Sequence, residues 1–340
     1  MWQIIGQGRA VELLKRGLAK GSRAHAFLFV GPPHVGKMAL AINLAQALNC
    51  EAEERPCGQC LSCQRIAAGK HADVQTMVLP EGDSENEAKT KISVDQIEQL
   101  QHSSNLPPFE GKFKVFIINQ AEIFSIGAAN RLLKTLEEPP PKVVFILLTS
   151  DEHRIPATII SRCQRVELLP MPADKIEKAL VKERSIYPDK AKLLARLSHG
   201  CPGWALNAAV NEGVLQHRTE LLEELLTIIG ADYETRFDYV AHWTGKQAIP
   251  ERLSLWLDWW RDLLLVKTGT GSEVANIDRL AWLTDLARNQ TLVQIREMIS
   301  DIQTAGEQLR QNANPQLVLE VLMLGMPEPG KNGGKQKVPG

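Results

Sequence analysis

Continuous apolar runs alternate with helical periodicity along the first half of the chain. The runs at 26–30, 115–118 and 143–148 are wholly apolar. Such runs are typical of buried parallel strands. Between them, apolar residues recur at three- and four-residue spacing, as on the buried face of a helix. The alternation predicts an α/β fold, a parallel sheet with helices on both faces.

The pattern also places the individual elements. A further short strand is predicted from Val74 to Leu79, followed by a polar loop at 81–89. Ser93 is a suitable N-cap for the helix that follows it. The predicted helices cover 3–20 (stopping at Gly21), 39–48, 93–101 and 128–138.

Beyond residue 209 helical spacing dominates, which predicts an all-α region. This region contains most of the tryptophans, and an aromatic stripe at helical spacing is more often core than binding site. Residues 330–340 are rich in Gly and Lys and are expected to form a flexible tail. The tryptophans of the helical region are Trp243, Trp256, Trp259, Trp260 and Trp282.

A glycine-rich loop, 31–38, joins the first apolar run to a predicted helix. The order strand, loop, helix is that of a P-loop, in which backbone N–H groups and the helix N-terminus hold phosphate. Gly31, Gly36 and Lys37 are the candidate phosphate ligands. A complete motif ends in Ser or Thr, whose oxygen binds magnesium, whereas this chain has Met38. Whether the loop holds ATP is left open.

The other positions that hydrolysis needs are also altered. In an active P-loop ATPase, the strand of the Walker B motif ends in a magnesium-binding Asp, usually followed by a Glu. Here the strand 115–118 is followed by Asn119 and Gln120, which are uncharged. Thr149, at the end of the next apolar run, is the candidate γ-phosphate sensor or a strand-end cap. His25 is expected to be a packed or capping residue.

Composition and charge limit the function classes. The chain has 340 residues, 44% hydrophobic and 23% charged, as in ordinary globular protein. No apolar run approaches the roughly 20 residues that span a bilayer, and the first residues lack a signal pattern, so a cytoplasmic protein is expected. Residues 1–208 carry 26 basic and 22 acidic residues, net +4, and residues 209–328 carry 10 and 18, net −8. Any nucleic-acid contact is therefore expected from the front part.

Four of the six cysteines lie within fourteen residues: Cys50, Cys57, Cys60 and Cys63. Four thiolates at this spacing suit a tetrahedral zinc ion. Two disulfides are the alternative, which a reducing compartment disfavours. A closed four-sulfur site has no open coordination position, so the predicted zinc is structural.

Taken together, these segments resemble the bacterial clamp-loader family of AAA+ proteins. The resemblance rests on Ile5-Gly6-Gln7, the stretch 25–28, the cysteine cluster, the helix with its prolines at 128–139, and Ser161-Arg162-Cys163. It covers roughly the first 210 residues well and the remainder loosely.

The resemblance implies a domain plan and partners. The plan is an AAA+ core at 1–168 that contains the zinc module, a helical lid at 169–208, a collar or oligomerisation domain at 209–328 and a tail at 329–340. The implied partners are the motor (gamma/tau) subunits and the delta subunit of a hetero-oligomeric ring, the sliding clamp and primer–template DNA, with no membrane.

The resemblance also implies a role for individual residues. Arg162 would be an arginine finger directed at ATP on a neighbouring motor subunit, while a local salt bridge is the alternative. Trp204 stands where relatives that engage nucleotide place a sensor arginine. The favoured function is a hydrolysis-deficient clamp-loader subunit. The alternatives are a weak ATPase motor subunit and a zinc-dependent DNA-binding protein on a degenerate P-loop scaffold.

Overall fold

The computed structural model describes residues 2–19, 24–78, 91–242 and 249–327. The predicted helix stop at Gly21, the polar loop at 81–89, Trp243 and the tail at 329–340 lie outside the described residues.

Five parallel strands form one sheet in the order β2-β3-β4-β1-β5. The predicted parallel α/β sheet is therefore confirmed. The short strand predicted at 74–79 ends at Met77 among the described residues. The strands are β1 Ala26–Val30, β2 Val74–Met77, β3 Lys114–Ile118, β4 Val143–Thr149 and β5 Gln164–Glu167.

Strand β5 had no counterpart among the sequence predictions. It lies at the sheet edge beside β1, and only Val166 of its four residues is buried. An edge strand with one buried side chain has no apolar run, so hydrophobic patterning does not reveal it.

Helices cover both faces of the sheet. Alternate side chains of β1 point to opposite faces, as strand geometry requires. Phe27 and Phe29 belong to one core with Leu44, while Leu28 belongs to the core on the opposite face with Leu132. The helices up to residue 210 are α1 Gly8–Ala19, α2 Lys37–Asn49, α3 Leu61–Ala67, α4 Val94–Ser104, α5 Ile126–Glu137, α6 Ala157–Ile160, α7 Ala173–Arg184, α8 Pro188–Leu197 and α9 Pro202–Val210.

Two helix boundaries show how local chemistry sets the elements. The first helix begins at Gly8 and not at residue 3, because Gly6 and Gln7 have φ values of 69° and 56°. Ser93 caps α4 as predicted: it accepts the Gln96 N–H while the Gln96 side chain accepts the Ser93 N–H.

The described residues after 211 form α-helices joined by turns and short connecting segments, as predicted. Trp256, Trp259 and Trp260 are fully buried in one core, so the core interpretation of the aromatic stripe is correct for them. Trp282 differs, since it is 52% exposed. These helices are α10 Glu212–Ile229, α11 Tyr233–Ala241, α12 Ile249–Lys267, α13 Leu280–Asn289, α14 Leu292–Arg310 and α15 Pro315–Gly325.

The chain forms two compact units. Of the described residues, one unit comprises those from 2 to 179 with 200–204, and the other comprises 180–199 with those from 205 to 327. The division into core, lid, collar and tail stays a prediction. Within the described ranges, none of the helices is long and apolar enough to cross a bilayer.

Candidate functional site

The glycine-rich loop joins β1 to α2 as predicted. His34 and Gly36 both have positive φ, at 60° and 113°. A Cβ on Gly31 would lie 2.4 Å from the Leu168 carbonyl oxygen, so only glycine fits there. On the other side, the Gly203 N–H donates to the His34 carbonyl at 2.9 Å. The loop therefore has the curved backbone of a phosphate loop.

Lys37 is directed toward the carbonyls of its own loop. Its Nζ donates to Gly31 O at 2.6 Å and to Pro32 O at 2.8 Å. Burial lowers the pKa of Lys37, and the nearby Glu122 carboxylate opposes this shift. A phosphate group would have to compete with two carbonyls for the ammonium group.

A cavity of about 410 Å³ lies between the loop and the carboxyl ends of β3 and β4. It is the crevice where ligands of open parallel sheets bind. Met38, Asn119, Gln120 and Thr149 all line it, together with Lys37. The structure thus brings together in one site the three positions that differ from a complete ATPase motif, Met38, Asn119 and Gln120. Trp204 is not among the residues that line it.

Thr149 is completely buried at the end of β4. Its hydroxyl oxygen accepts the Asp151 N–H at 3.1 Å, and its carbonyl accepts the Gly31 N–H at 3.2 Å. The residue therefore caps the strand and holds the start of the loop. The proposed role as a γ-phosphate sensor is not tested by these contacts.

Glu122 is a site residue that sequence reasoning missed. It follows two residues after Gln120, in a short 3-10 turn at 121–123, and lines the cavity. Ser150 donates to Glu122 Oε1 through its hydroxyl at 2.6 Å and its N–H at 3.3 Å. Burial raises the pKa of Glu122, but the hydrogen bonds from Ser150, together with the nearby Thr149 hydroxyl, outweigh this effect and lower it. The sequence signal that could have revealed Glu122 is an acidic residue shortly after β3, two positions beyond Gln120.

Arg162 follows the short helix α6 and is paired within the chain. Its Nη2 lies 2.5 Å from Glu137 Oε1, and its Nη1 donates to Thr158 O at 2.9 Å. The Arg162 and Glu137 side chains are 34% and 50% exposed. The local salt bridge considered from the sequence is present, but an exposed pair of this kind contributes little stability and is readily exchanged.

The four clustered cysteines come together in space. Their sulfur atoms all lie within 4.8 Å of one another, and all six cysteines of the chain are free thiols. A tetrahedral site with Zn–S bonds of about 2.3 Å places sulfur atoms about 3.8 Å apart. The cluster could therefore hold a metal such as zinc, and the disulfide alternative does not describe this chain.

Backbone groups support the cluster. The N–H groups of Cys60 and Gln59 donate to Cys57 Sγ at 3.3 and 3.4 Å. These bonds lower the pKa of the Cys57 thiol to about 6, whereas burial raises that of Cys63 to about 12. N–H···S bonds of this kind stabilise the thiolate form that a metal requires.

The cysteine module, residues 50–63 together with α3, makes polar contacts with the elements around it. Gln46 of α2 donates to Cys63 O at 2.8 Å, and Lys112 donates to Cys50 O at 2.8 Å. His71 contacts Ser62 of α3 at 3.1 Å and accepts the Asp73 N–H at 3.1 Å. The cysteine module is therefore joined to both α2 and the segment that precedes β2.

His25 has the packing role expected for it. Its Nε2 lies 2.9 Å from the Leu136 carbonyl oxygen near the end of α5. The contact satisfies one of the carbonyls that a helix C-terminus leaves without a partner.

Comparison with known proteins identifies the family. The protein-family model described as "DNA polymerase III, delta subunit" matches residues 6–172. A second family model, described as "DNA polymerase III, delta subunit, C terminal", matches residues 212–327. The two family models describe the same subunit, and together they match well over half of the chain.

Curated relatives agree with this match. The chain is 29% identical to DNA polymerase III subunit delta' of Bacillus subtilis over 328 residues, covering 95% of this chain and 96% of that protein. It is 27% identical to subunit tau of Bacillus subtilis, covering 94% of this chain, and 34% identical to subunit tau of Escherichia coli, covering 67%. The chain spans 60% and 36% of the lengths of these two tau proteins.

A solved gamma subunit-related protein of Thermotoga maritima aligns with a TM-score of 0.42 at 20% identity, over 93% of this chain and 97% of that one. This likeness is too low to add to the assignment. On the family models and the full-length delta' relative, the chain belongs to the DNA polymerase III delta-subunit family, the clamp-loader branch of the AAA+ proteins.

Proposed function

We propose that this chain is a hydrolysis-deficient clamp-loader subunit that assists ATP hydrolysis on a neighbouring motor subunit. The observation that carries the proposal is the joint presence of Met38, Asn119 and Gln120 around one cavity. None of the three offers the hard anionic or hydroxyl oxygen that magnesium prefers. An intact loop fold is thus combined with a site that lacks the usual metal ligands.

Arg162 is proposed to act in trans as an arginine finger. A guanidinium is always charged, and its forked donors match the oxygens of a transferring phosphoryl group. Its partner within the chain, Glu137, is half exposed, so release of the pair costs little. In the free subunit Glu137 orients the arginine, and in the assembly a phosphate replaces the carboxylate.

Reconstitution with motor subunits, delta subunit, clamp and primed DNA tests this role. Arg162→Ala is expected to lower the ATPase rate and clamp loading, because an arginine finger contributes roughly 10³–10⁵ in rate at a single site. Several motor sites dilute the loss of one finger in the total rate. Arg162→Lys retains the charge without the fork and is expected to restore only part of the activity.

Arg165→Ala is the matched control. Arg165 is also an exposed arginine with an internal partner, Glu152, at 2.8 Å, and it lies three residues away. Its substitution is expected to leave loading unchanged. Equal rates for wild type and Arg162→Ala would refute the finger.

The position of Glu122 in the cavity supports a second candidate function, that of a weak ATPase. It is an ionised carboxylate in the same cavity as Lys37, and such a group could act as a general base. Under this candidate, the isolated protein hydrolyses ATP and Glu122→Gln abolishes the activity. Under the favoured proposal, the isolated wild type has no hydrolysis above background.

The cysteine cluster is proposed to bind structural zinc. Relatives named as tau, gamma and delta' subunits of DNA polymerase III support a hetero-oligomeric ring as the setting. The proposed contacts are motor and delta subunits, the sliding clamp and primer–template DNA.

A further inference from the structure

Of the residues that line the cavity beside the loop, only Glu122 is acidic. One carboxylate oxygen is well satisfied by Ser150. The other, Oε2, is shielded from solvent and has no hydrogen-bond partner of ordinary geometry, although the Thr149 hydroxyl is close enough to influence the carboxylate. A shielded carboxylate oxygen without a direct partner is costly unless a positive charge compensates for it.

Lys37 is the cation that lines the same cavity. Two of the three N–H groups of its ammonium group donate to uncharged carbonyls, which leaves the positive charge itself without a neutralising partner among these contacts. The Glu122 carboxylate interacts with it through space. The two charges therefore balance inside the cavity while the loop holds no phosphate.

We infer that Glu122 is the internal counter-anion of Lys37 and that its charge weakens phosphate binding by the loop. In a complete P-loop site, magnesium lies between the acidic side chains and the phosphates and removes their repulsion. Met38 cannot supply the oxygen ligand for that ion. The negative charge of Glu122 then repels the nucleotide with no metal ion between them.

This inference rests on the proposed loss of magnesium chemistry, and it makes a distinct prediction. Removing the charge at position 122 should strengthen binding of a triphosphate. A unit charge about 6 to 12 Å from a phosphate, at an effective dielectric constant of about 20, changes a binding equilibrium by about ten- to a hundredfold. A general base would behave differently, since its loss would affect hydrolysis and not affinity.

The test is a titration of the full-length protein with a fluorescent ATP analogue. The buffer is free of magnesium and contains no chelator, so that the cysteine cluster is undisturbed. Glu122→Gln and Glu122→Met both remove the charge at similar volume and are expected to bind about ten- to a hundredfold more tightly than wild type. Glu122→Asp keeps the charge and is expected to bind like wild type. Lys37→Ala in the Glu122→Gln background should remove the gain.

Thermal melting confirms that each variant is folded. The use of two neutral variants, Glu122→Gln and Glu122→Met, ensures that the result does not depend on a local packing defect in either one. Affinities of both neutral variants at or below the wild-type value would overturn the inference. ATP hydrolysis with magnesium is measured on the same samples. Hydrolysis of ATP by the wild type would refute the proposed function but leave the affinity comparison valid. Unchanged affinity in the neutral variants would refute only the inference that the charge of Glu122 weakens phosphate binding.

Discussion

Asp73 shows how one buried carboxylate organises a turn. Its two oxygens accept the N–H groups of Phe109, Glu110 and Gly111 at 2.7, 2.8 and 2.7 Å. Burial raises the pKa of Asp73, but these bonds outweigh it and hold the pKa below its ordinary value. The turn that leads into β3 therefore depends on a charge 36 to 38 residues earlier.

We expect Asp73→Asn to lower the free energy of unfolding by about 2 to 3 kcal/mol at pH 7, because an amide oxygen cannot satisfy three donors. Because the pKa of Asp73 is lower in the folded chain than in the unfolded chain, where it is about 3.9, the ionised carboxylate stabilises the fold above that pH. This stabilisation is lost as the pH falls through the folded pKa. The difference between mutant and wild type should therefore shrink in acid. Urea denaturation between pH 7 and pH 3 measures it, with exposed Asp174→Asn as the control. A difference as large at pH 3 as at pH 7 would contradict this account.

Arg236 has a comparable role in the helical unit. It is 1% exposed and donates to the carbonyls of Ile228 and Ile229 at the end of α10. It also donates to Met323 and Met326 at the end of α15. One guanidinium therefore holds two helix C-termini together.

Arg236→Met is expected to cost at least about 3 kcal/mol, because several buried carbonyls lose their donor at once. Arg236→Lys keeps the charge but not the fork, and should recover only part of the stability. Urea midpoints give the comparison, with the exposed Arg310→Met as control. A loss at position 236 no larger than that of the control would show that the contacts are dispensable.

At the scale of elements, the cysteine module is the part whose stability depends on a ligand. It carries one short helix, α3, and little core of its own, with Cys63 and Ile66 as the buried residues of that helix. Small modules of this kind gain much of their folding free energy from a bound metal.

We expect metal analysis to find one zinc ion per chain and chelation to lower the melting temperature by several degrees. Cys60→Ser should lose the metal, since three thiolates bind zinc more weakly than four. Cys163→Ser is the matched control, because Cys163 is a free thiol outside the cluster. Full metal content in Cys60→Ser, or metal-free wild type of unchanged stability, would refute the zinc assignment.

At the scale of the whole molecule, the two compact units divide the candidate chemistry unevenly. The loop, the cysteine cluster and Arg162 all lie in the first unit, whereas the net charge of −8 belongs to residues 209–328, which lie in the second, mainly helical unit. Within the helical unit, His199 after α8 pairs with Asp258 of α12 at 3.0 Å. This pair links segments that are far apart in sequence.

The pair predicts a pH effect on stability. The hydrogen bond to Asp258 raises the pKa of His199 against the effect of burial. A raised folded pKa gives stability that is complete below the unfolded value of about 6.5 and is lost as the pH rises through the folded pKa. His199→Asn tolerates the positive φ of 47° and should remove this dependence, worth less than about 1 kcal/mol for a partly exposed pair. Melting curves from pH 5 to pH 9 test it, and identical profiles would contradict the assignment.

The sequence alone determined what depends on short-range order. Among the five strands of the described residues, apolar runs identified three and a short strand-like segment identified a fourth. The strand-loop-helix order identified the phosphate loop, and spacing identified the cysteine cluster. These features arise from neighbouring residues, so local patterns suffice to find them.

Tertiary structure decided what depends on distant partners. Three features have no local signature: the shielding of the Glu122 carboxylate in the cavity, the pairing of Arg162 with Glu137, and the hydrogen bonds of Arg236 to carbonyls 87 and 90 residues away. Each is a polar group whose energy is set by what surrounds it after folding, and burial and hydrogen-bond geometry exist only in the folded chain.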